Sequence, residues 1–196
     1  MERKELKELH YITPIANVHS ILKLGILSHN RAKRVRHESV AMKEIQDRRA
    51  KVTIPRGRKL HCYVNLYICA RNPMMYKRRA QHQELCVLKI NPDVIDLPGV
   101  VITDGNASSG YTRFYNAPDG LANVDREWTF ADNWQDPDPI QKYKKTAAKC
   151  AEVLVPDKVN LDYITGAYVS CQDTMVQFQE LIKTLPCDIN SNLFFK

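Results

Sequence analysis

Residues 60–68 alternate cleanly: Cys62, Val64, Leu66 and Ile68 fall on one side, and His61, Tyr63, Asn65 and Tyr67 on the other. A period of two is that of a β-strand, so this stretch predicts a half-buried strand with tyrosines on its second face. Further strands are expected at residues 9–12, 85–90, 100–103 and 150–156, with a last one at 167–170, and an Asn91-Pro92-Asp93 turn follows the second of these. Thr13-Pro14 reads as a helix N-cap followed by proline at the first helical position. Ile15, Val18, Ile21 and Leu22 then recur at helical spacing until Gly25 supplies a stop. Residues 31–44 read as helix or ordered loop, 141–149 as a basic helix and 174–185 as an amphipathic helix. Between residues 104 and 139 lies a long connection that carries Trp128 and Trp134 without a sustained period, the kind that is either functional or disordered. With 196 residues and 44% hydrophobic content, the chain reads as one domain over residues 1–196, of the α+β class.

The net charge of +7 is unevenly spread. Residues 31–59 hold eleven Lys and Arg against three acids, a net of +8, while residues 93–139 carry a net of −7. A segment more charged than the whole chain is either a solvated basic face or a field that holds phosphates. No apolar run approaches the roughly 20 residues that span a bilayer, and the first residues lack a signal peptide's apolar core, so a soluble cytoplasmic protein without membrane attachment is expected. The six cysteines are scattered with no Cys-x-x-Cys pair, which points to reduced and mostly buried thiols. No histidine spacing fits a metal site, and none is predicted. Gly105 and Gly110 imitate a phosphate loop but place Tyr111 where a lysine must reach the phosphates.

Glu152 stands inside the apolar run Cys150-Ala151-Glu152-Val153-Leu154-Val155-Pro156. Burying an unpaired carboxylate is strongly disfavoured. Alternation opposes it to Val153 and Val155, which leaves two readings: a glutamate on a solvated face, or a carboxylate projecting into a cleft.

Several segments, in order, resemble the DarT family of DNA ADP-ribosyltransferase toxins from about His10 to Pro156. They are His10-Tyr11-Ile12-Thr13 with the helix to Gly25-Ile26-Leu27-Ser28; Ile45-Gln46-Asp47-Arg48-Arg49; and Tyr63 through Tyr76, ending Arg71-Asn72-Pro73-Met74-Met75-Tyr76. Asp104 through Tyr115 and Ala151-Glu152-Val153-Leu154-Val155-Pro156 complete the set. The chain departs at Asn65, Leu66, Ile68 and Asn72, where the family shows Pro, Phe, Phe and Ser. The resemblance implies a split antiparallel β-sheet with flanking helices around an NAD cleft, NAD+ as co-substrate, and no Rossmann glycine fingerprint. It implies Glu152 as the catalytic carboxylate, whose hydrogen bond to the ribose 2′-hydroxyl strengthens as positive charge develops on the sugar. It also implies that Arg49 or Arg48 stabilises charge at the target base and the phosphates of NAD+.

Toward NAD+ the resemblance nominates four further residues. His10 is a ribose contact or a structural histidine, and Thr13 is a second contact or only the N-cap. Tyr67 either stacks on nicotinamide or packs across strands, and Tyr76 is a lesser candidate. Tyr111, Arg113, Phe114 and Tyr115, with the segment from Pro118 to Lys149, are candidates for DNA binding, where aromatic rings stack unpaired bases. The implied function is transfer of ADP-ribose to thymine or guanine in single-stranded DNA. Reversal would fall to a cognate antitoxin, macrodomain-type or another ADP-ribosyl glycohydrolase. The alternatives are a transferase of the same fold acting on RNA or protein, and a basic nucleic-acid-binding module without catalysis.

Overall fold

The computed structural model describes residues 1–39 and 42–196, so the expected helix or loop at 31–44 falls partly outside the described residues. In chain order the elements are β1 (Leu9–Pro14), α1 (Val18–Leu24), β2 (Ile26–Leu27), α2 (His29–Ala32), α3 (Lys43–Lys51), β3 (Tyr63–Tyr67), α4 (Pro73–Arg78) and β4 (Leu85–Ile90). There follow β5 (Val101–Thr103), β6 (Phe114–Asn116), α5 (Arg126–Phe130), α6 (Pro139–Ala148), β7 (Glu152–Pro156), β8 (Lys158–Val159), β9 (Ile164–Val169), α7 (Gln172–Leu181) and β10 (Cys187–Ile189).

The main sheet runs β10-β9-β4-β1-β3-β7-β5-β6, and β2 and β8 form a separate ribbon. Pairing is antiparallel except for β9 with β10. The expected split is visible in the register. Six residue pairs join β1 to β4 and five join β3 to β7, but β1 meets β3 through His10↔Tyr67 alone.

Alternate residues of one strand serve different cores. Along β4, Cys86, Leu88 and Ile90 enter the large cluster on one face, whereas Leu85 and Val87 enter a smaller one on the other. On β7, Val153 and Val155 point to the large cluster and Leu154 to a third. The second face is thus covered by two clusters, one around Met75 and Phe194, the other around Leu60 and Tyr63, and Glu152 shares that face with Leu154.

Several expectations need correction. The strand at 60–68 begins only at Tyr63, because Leu60–Cys62 forms a 3-10 turn that buries Leu60, and both of its faces are largely covered rather than one. Thr13 is not a helix N-cap. β1 continues through Thr13 and Pro14, which pair with Cys86 and Leu85, so tertiary pairing overrides the capping signal and α1 starts after Asn17. The strand at Ile164–Val169 is not the last, since β10 adds to its edge. Gly25 does end α1, with φ +81, a conformation costly for any side chain. The connection at 104–139 holds β6 and α5, and Asp138 with Pro139 opens α6 as cap and first residue. All six cysteines are free; Cys69, Cys86 and Cys150 are buried, and the other three only partly so.

Candidate active site

A cleft of about 380 Å³ opens on the second face of the sheet. It is walled by β1 (Ile12, Thr13), α3 (Gln46, Arg48, Arg49), β3 (Asn65, Tyr67), α4 (Pro73, Met74) and α6 (Tyr143, Thr146). This volume lies within the range of pockets that bury a nucleotide-sized ligand. Register places three of the expected residues in one row: His10 on β1 opposes Tyr67 on β3, and Tyr67 opposes Glu152 on β7. Directly opposed residues of antiparallel strands share a face, so the row crosses the split of the sheet.

Glu152 is 0% exposed, which rules out the solvated face. Its charge is matched by Arg49, whose Nη1 and Nη2 each donate at 3.0 Å to Oε1 and Oε2. Such a planar fork is the strongest geometry available to this pair. Oε1 also accepts from the Ala107 N–H at 3.4 Å. The backbone is fixed in turn by Thr103, whose hydroxyl accepts from the Glu152 N–H at 3.0 Å and donates to the Gly105 carbonyl at 2.7 Å. Burial works against the charge of Arg49, but the Glu152 carboxylate more than offsets it and holds the guanidinium above its ordinary pKa. Tyr67 is pushed upward, first by burial and then by Glu152, so its phenol stays neutral. The two arginines therefore part company: Arg49 is buried at the carboxylate, while Arg48, also on the cleft wall, is exposed and donates to the Glu44 carbonyl at 3.4 Å.

His10 is buried in the row, with Nε2 3.1 Å from Glu8 and Nδ1 without a partner. Thr13 lines the cleft and accepts from Asn17 at 3.2 Å. Tyr76, expected near the cofactor, lies elsewhere. Pro73, Met74, Lys77 and Arg78 occupy the cleft side of α4, and helical spacing turns Tyr76 to the outer face. Of the DNA candidates, Phe114 packs on the third cluster, while Tyr115 Oη and the Arg113 N–H both bond Asp104. Tyr111 is 84% exposed and meets Tyr143, a cleft residue, edge to face with ring centroids 5.8 Å apart. The basic segment is partly spent on local partners, since Arg31 and Arg58 both engage Asp157.

Some cleft residues carry no signal in the sequence. The Asn17 side chain donates to the Glu38 carbonyl at 2.7 Å and accepts from the Glu38 N–H at 2.9 Å, a peptide-like clasp that holds the segment before residue 40 against the cleft. The His29 ring lies against that of His61 with centroids 4.0 Å apart, tilted by 37°. Burial, then His29, Arg49 and Lys33, push His61 down to about 4, so it is neutral at physiological pH and its Nε2 has no partner. Gln46, on the cleft wall, keeps Oε1 buried and unpaired. Asn72 departs from the family's serine yet is a sound helix cap: its Oδ1 accepts from the Met74 and Met75 N–H groups, which seats α4 beside the cleft. Among the described residues there is no cluster of metal ligands and no helix long and apolar enough to cross a membrane.

A family model described as ssDNA thymidine ADP-ribosyltransferase, DarT, matches residues 10–195. The chain is 31% identical over 96% of its length to a DNA ADP-ribosyl transferase-DNA ADP-ribosyl glycohydrolase fusion protein of Thermosipho africanus, and spans 50% of that protein. It is 32% identical to a DNA ADP-ribosyl transferase of Thermus sp. strain 2.9, with 75% of this chain and 73% of that one covered. Among solved structures, Thermus sp. 2.9 DarT in complex with ADP-ribosylated ssDNA superposes with a TM-score of 0.82 at 26% identity, covering 97% of each chain. The same protein in complex with NAD+ gives 0.77 at 25% identity, covering 97% of this chain and 98% of that one.

Proposed function

Since the chain belongs to the DarT family, we propose that it transfers ADP-ribose from NAD+ to thymine in single-stranded DNA, with Glu152 as catalytic carboxylate and Arg49 as its partner. The observation that carries this reading is the buried Glu152–Arg49 fork at the end of the His10, Tyr67, Glu152 row, against the wall of the cleft.

The residues present suit NAD+. Gln46 on the cleft wall keeps Oε1 buried without a partner, His10 beside Tyr67 keeps Nδ1 so, and Thr13 and Tyr67 offer hydroxyl and ring to a ribose and a flat heterocycle. Arg48 and Lys77 line the same cleft and supply positive charge for a pyrophosphate. Bound NAD+ supplies an ADP-ribosyl group whose sugar becomes cationic as nicotinamide departs.

Glu152 meets that charge. Arg49 and the Ala107 N–H use three of the roughly four lone-pair positions of a carboxylate, which leaves one on Oε2 for a ribose hydroxyl. The remaining N–H groups of Arg49, which lines the cleft, are placed to stabilise the negative charge that builds on the base as its ring nitrogen bonds the ribose carbon that nicotinamide leaves and gives up its proton to solvent. A carboxylate kept dry until substrate arrives interacts more strongly than one in water.

A toxin role and a cognate antitoxin, macrodomain-type or another glycohydrolase, belong to the same proposal, by analogy with the Thermosipho protein named as a fusion of a DNA ADP-ribosyl transferase with a DNA ADP-ribosyl glycohydrolase. Mass spectrometry of nucleosides from single-stranded DNA incubated with protein and NAD+ tests the reading. An ADP-ribosyl adduct on thymidine is expected. An adduct on guanosine corrects the base, label in RNA or protein corrects the substrate, and absence of nicotinamide release returns the chain to a binding module.

A further inference from the structure

Tyr76 belongs to a surface cluster that the cleft does not use. Its ring meets Trp134 edge to face at 5.7 Å and Phe195 at 5.1 Å, and Trp134 meets Phe195 at 6.0 Å. Two guanidinium groups lie on these rings, Arg79 at 4.1 Å from the Tyr76 centroid and Arg71 at 4.0 Å from that of Phe195. Packing alone does not account for the cluster. The neighbouring Phe194 is wholly buried and anchors the segment, whereas Tyr76 is 42% exposed, and Phe195 holds a left-handed φ of +63 that few bulky residues adopt. Among the described residues no carboxylate pairs with Arg71 or Arg79. They donate to the Asn192 and Tyr76 carbonyls, and Arg71 Nε is buried without a partner. Residues 71–83 contain Arg71, Lys77, Arg78 and Arg79 and no acid. Of the acids near Trp134 in the chain, Asp136 is engaged by Lys145 at 2.7 Å, Asp138 caps α6, and Asp132 is exposed.

An exposed Tyr76 ring beside partly exposed Trp134 and Phe195, with guanidinium groups over two of the three rings, suits one occupant, an unpaired polynucleotide, whose bases stack and whose phosphates accept. A duplex hides its base faces. α4 connects the cluster to the cleft, since its other side carries Met74, Lys77 and Arg78 on the cleft wall. We propose that Tyr76, Trp134 and Phe195, with Arg71 and Arg79, form a stacking station for nucleotides that flank the one being modified. This rests on the reading of the cleft as a DNA-modifying site.

The test compares single strands of about 5 and about 20 nucleotides that share the modified base, a short one confined to the cleft and a long one able to reach the station. Trp134→Ala is expected to raise the KM of the long strand about tenfold, the scale of one lost stacked base, and to leave kcat, the KM for NAD+ and the rate on the short strand unchanged. Trp134→Phe is expected to restore the long-strand KM. Arg79→Glu, an exposed change, carries the same expectation if Trp134→Ala folds poorly, and lowers the salt slope of binding by about one or more. An unchanged long-strand KM in variants of an active protein overturns the station alone. A wild-type protein that modifies no DNA overturns the station and the proposed function together, and equal losses on both strand lengths assign the residues to the cleft instead.

Discussion

Removing the charge of Glu152 has two separable consequences, on stability and on chemistry. Glu152→Gln keeps the shape but turns an amide N–H₂ toward one arm of the Arg49 fork, where donor meets donor, and leaves a buried guanidinium without its counter-charge. Breaking one side of a buried pair costs about 3–5 kcal/mol. In a chain of this size each kcal/mol moves Tm by roughly 2–4 °C, so a fall of roughly 6–20 °C is expected. Arg49→Gln leaves a bare buried carboxylate and is expected to cost as much. The double variant removes both charges and lets two amides bond each other, so it recovers about 2 kcal/mol or more relative to the sum of the single losses. Transfer does not recover with it. All three variants are expected to lose at least about a hundredfold in rate, the scale of removing one preorganised electrostatic partner. Urea unfolding gives the coupling energy, and a gel shift of an oligonucleotide gives the rate. Coupling within about 0.5 kcal/mol of zero refutes the buried pair. Transfer by Glu152→Gln within about tenfold of wild type refutes the catalytic carboxylate.

Raising salt is expected to weaken DNA binding more steeply than NAD+ binding, because the residues 31–59 cations that lack carboxylate partners release counterions from a phosphate chain; equal slopes in a titration of each ligand would remove that role. Modification of a single strand is expected to outpace that of its duplex by orders of magnitude, since unpairing and unstacking cost a few kcal/mol, and comparable gel-shift rates would point to a duplex-bending mechanism. His61 titrates near 4 when folded against 6.5 ordinarily, so acid protonates the unfolded chain first. Its contribution to stability is therefore complete above about 6.5 and lost as pH falls toward about 4; His61→Gln should flatten that part of the pH profile of the urea midpoint, and an unchanged slope would deny the shift. Gly25→Ala is expected to destabilise by about 1–3 kcal/mol, because φ is +81 and the added methyl meets the Val159 carbonyl; a Tm equal to wild type would contradict that geometry.

What the sequence displayed best was local. β4 matches residues 85–90 because both of its faces are apolar, and the stop at Gly25 follows from backbone sterics alone. β10 leaves no mark in the sequence because a three-residue edge strand has no period, and its partner β9 supplies the order. Thr13-Pro14 misled because pairing with β4 outweighs a local cap. At the site, resemblance nominated Glu152, Arg49, Tyr67 and His10, and the structure brings them together across three strands and α3. Ala107, Asn17 and the His29–His61 pair were out of reach, since their roles exist only once segments far apart in the chain meet. Tyr76 was nominated from its place in the signature, and helical phase then turned it outward.

The single rung between β1 and β3 bears on how stiff the site is. A sheet resists shear and opening through its ladder of backbone bonds, and here the ladder thins to one residue pair between two well-bonded leaves. His10 belongs to one leaf, and Tyr67 and Glu152 to the other. The row therefore crosses the most thinly paired joint of the eight-stranded sheet, and a small pivot there alters the gap between His10 and Glu152 while each leaf keeps its own register. A ligand held on both sides of that line acts as the missing rungs, so its binding tightens the frame that positions the carboxylate.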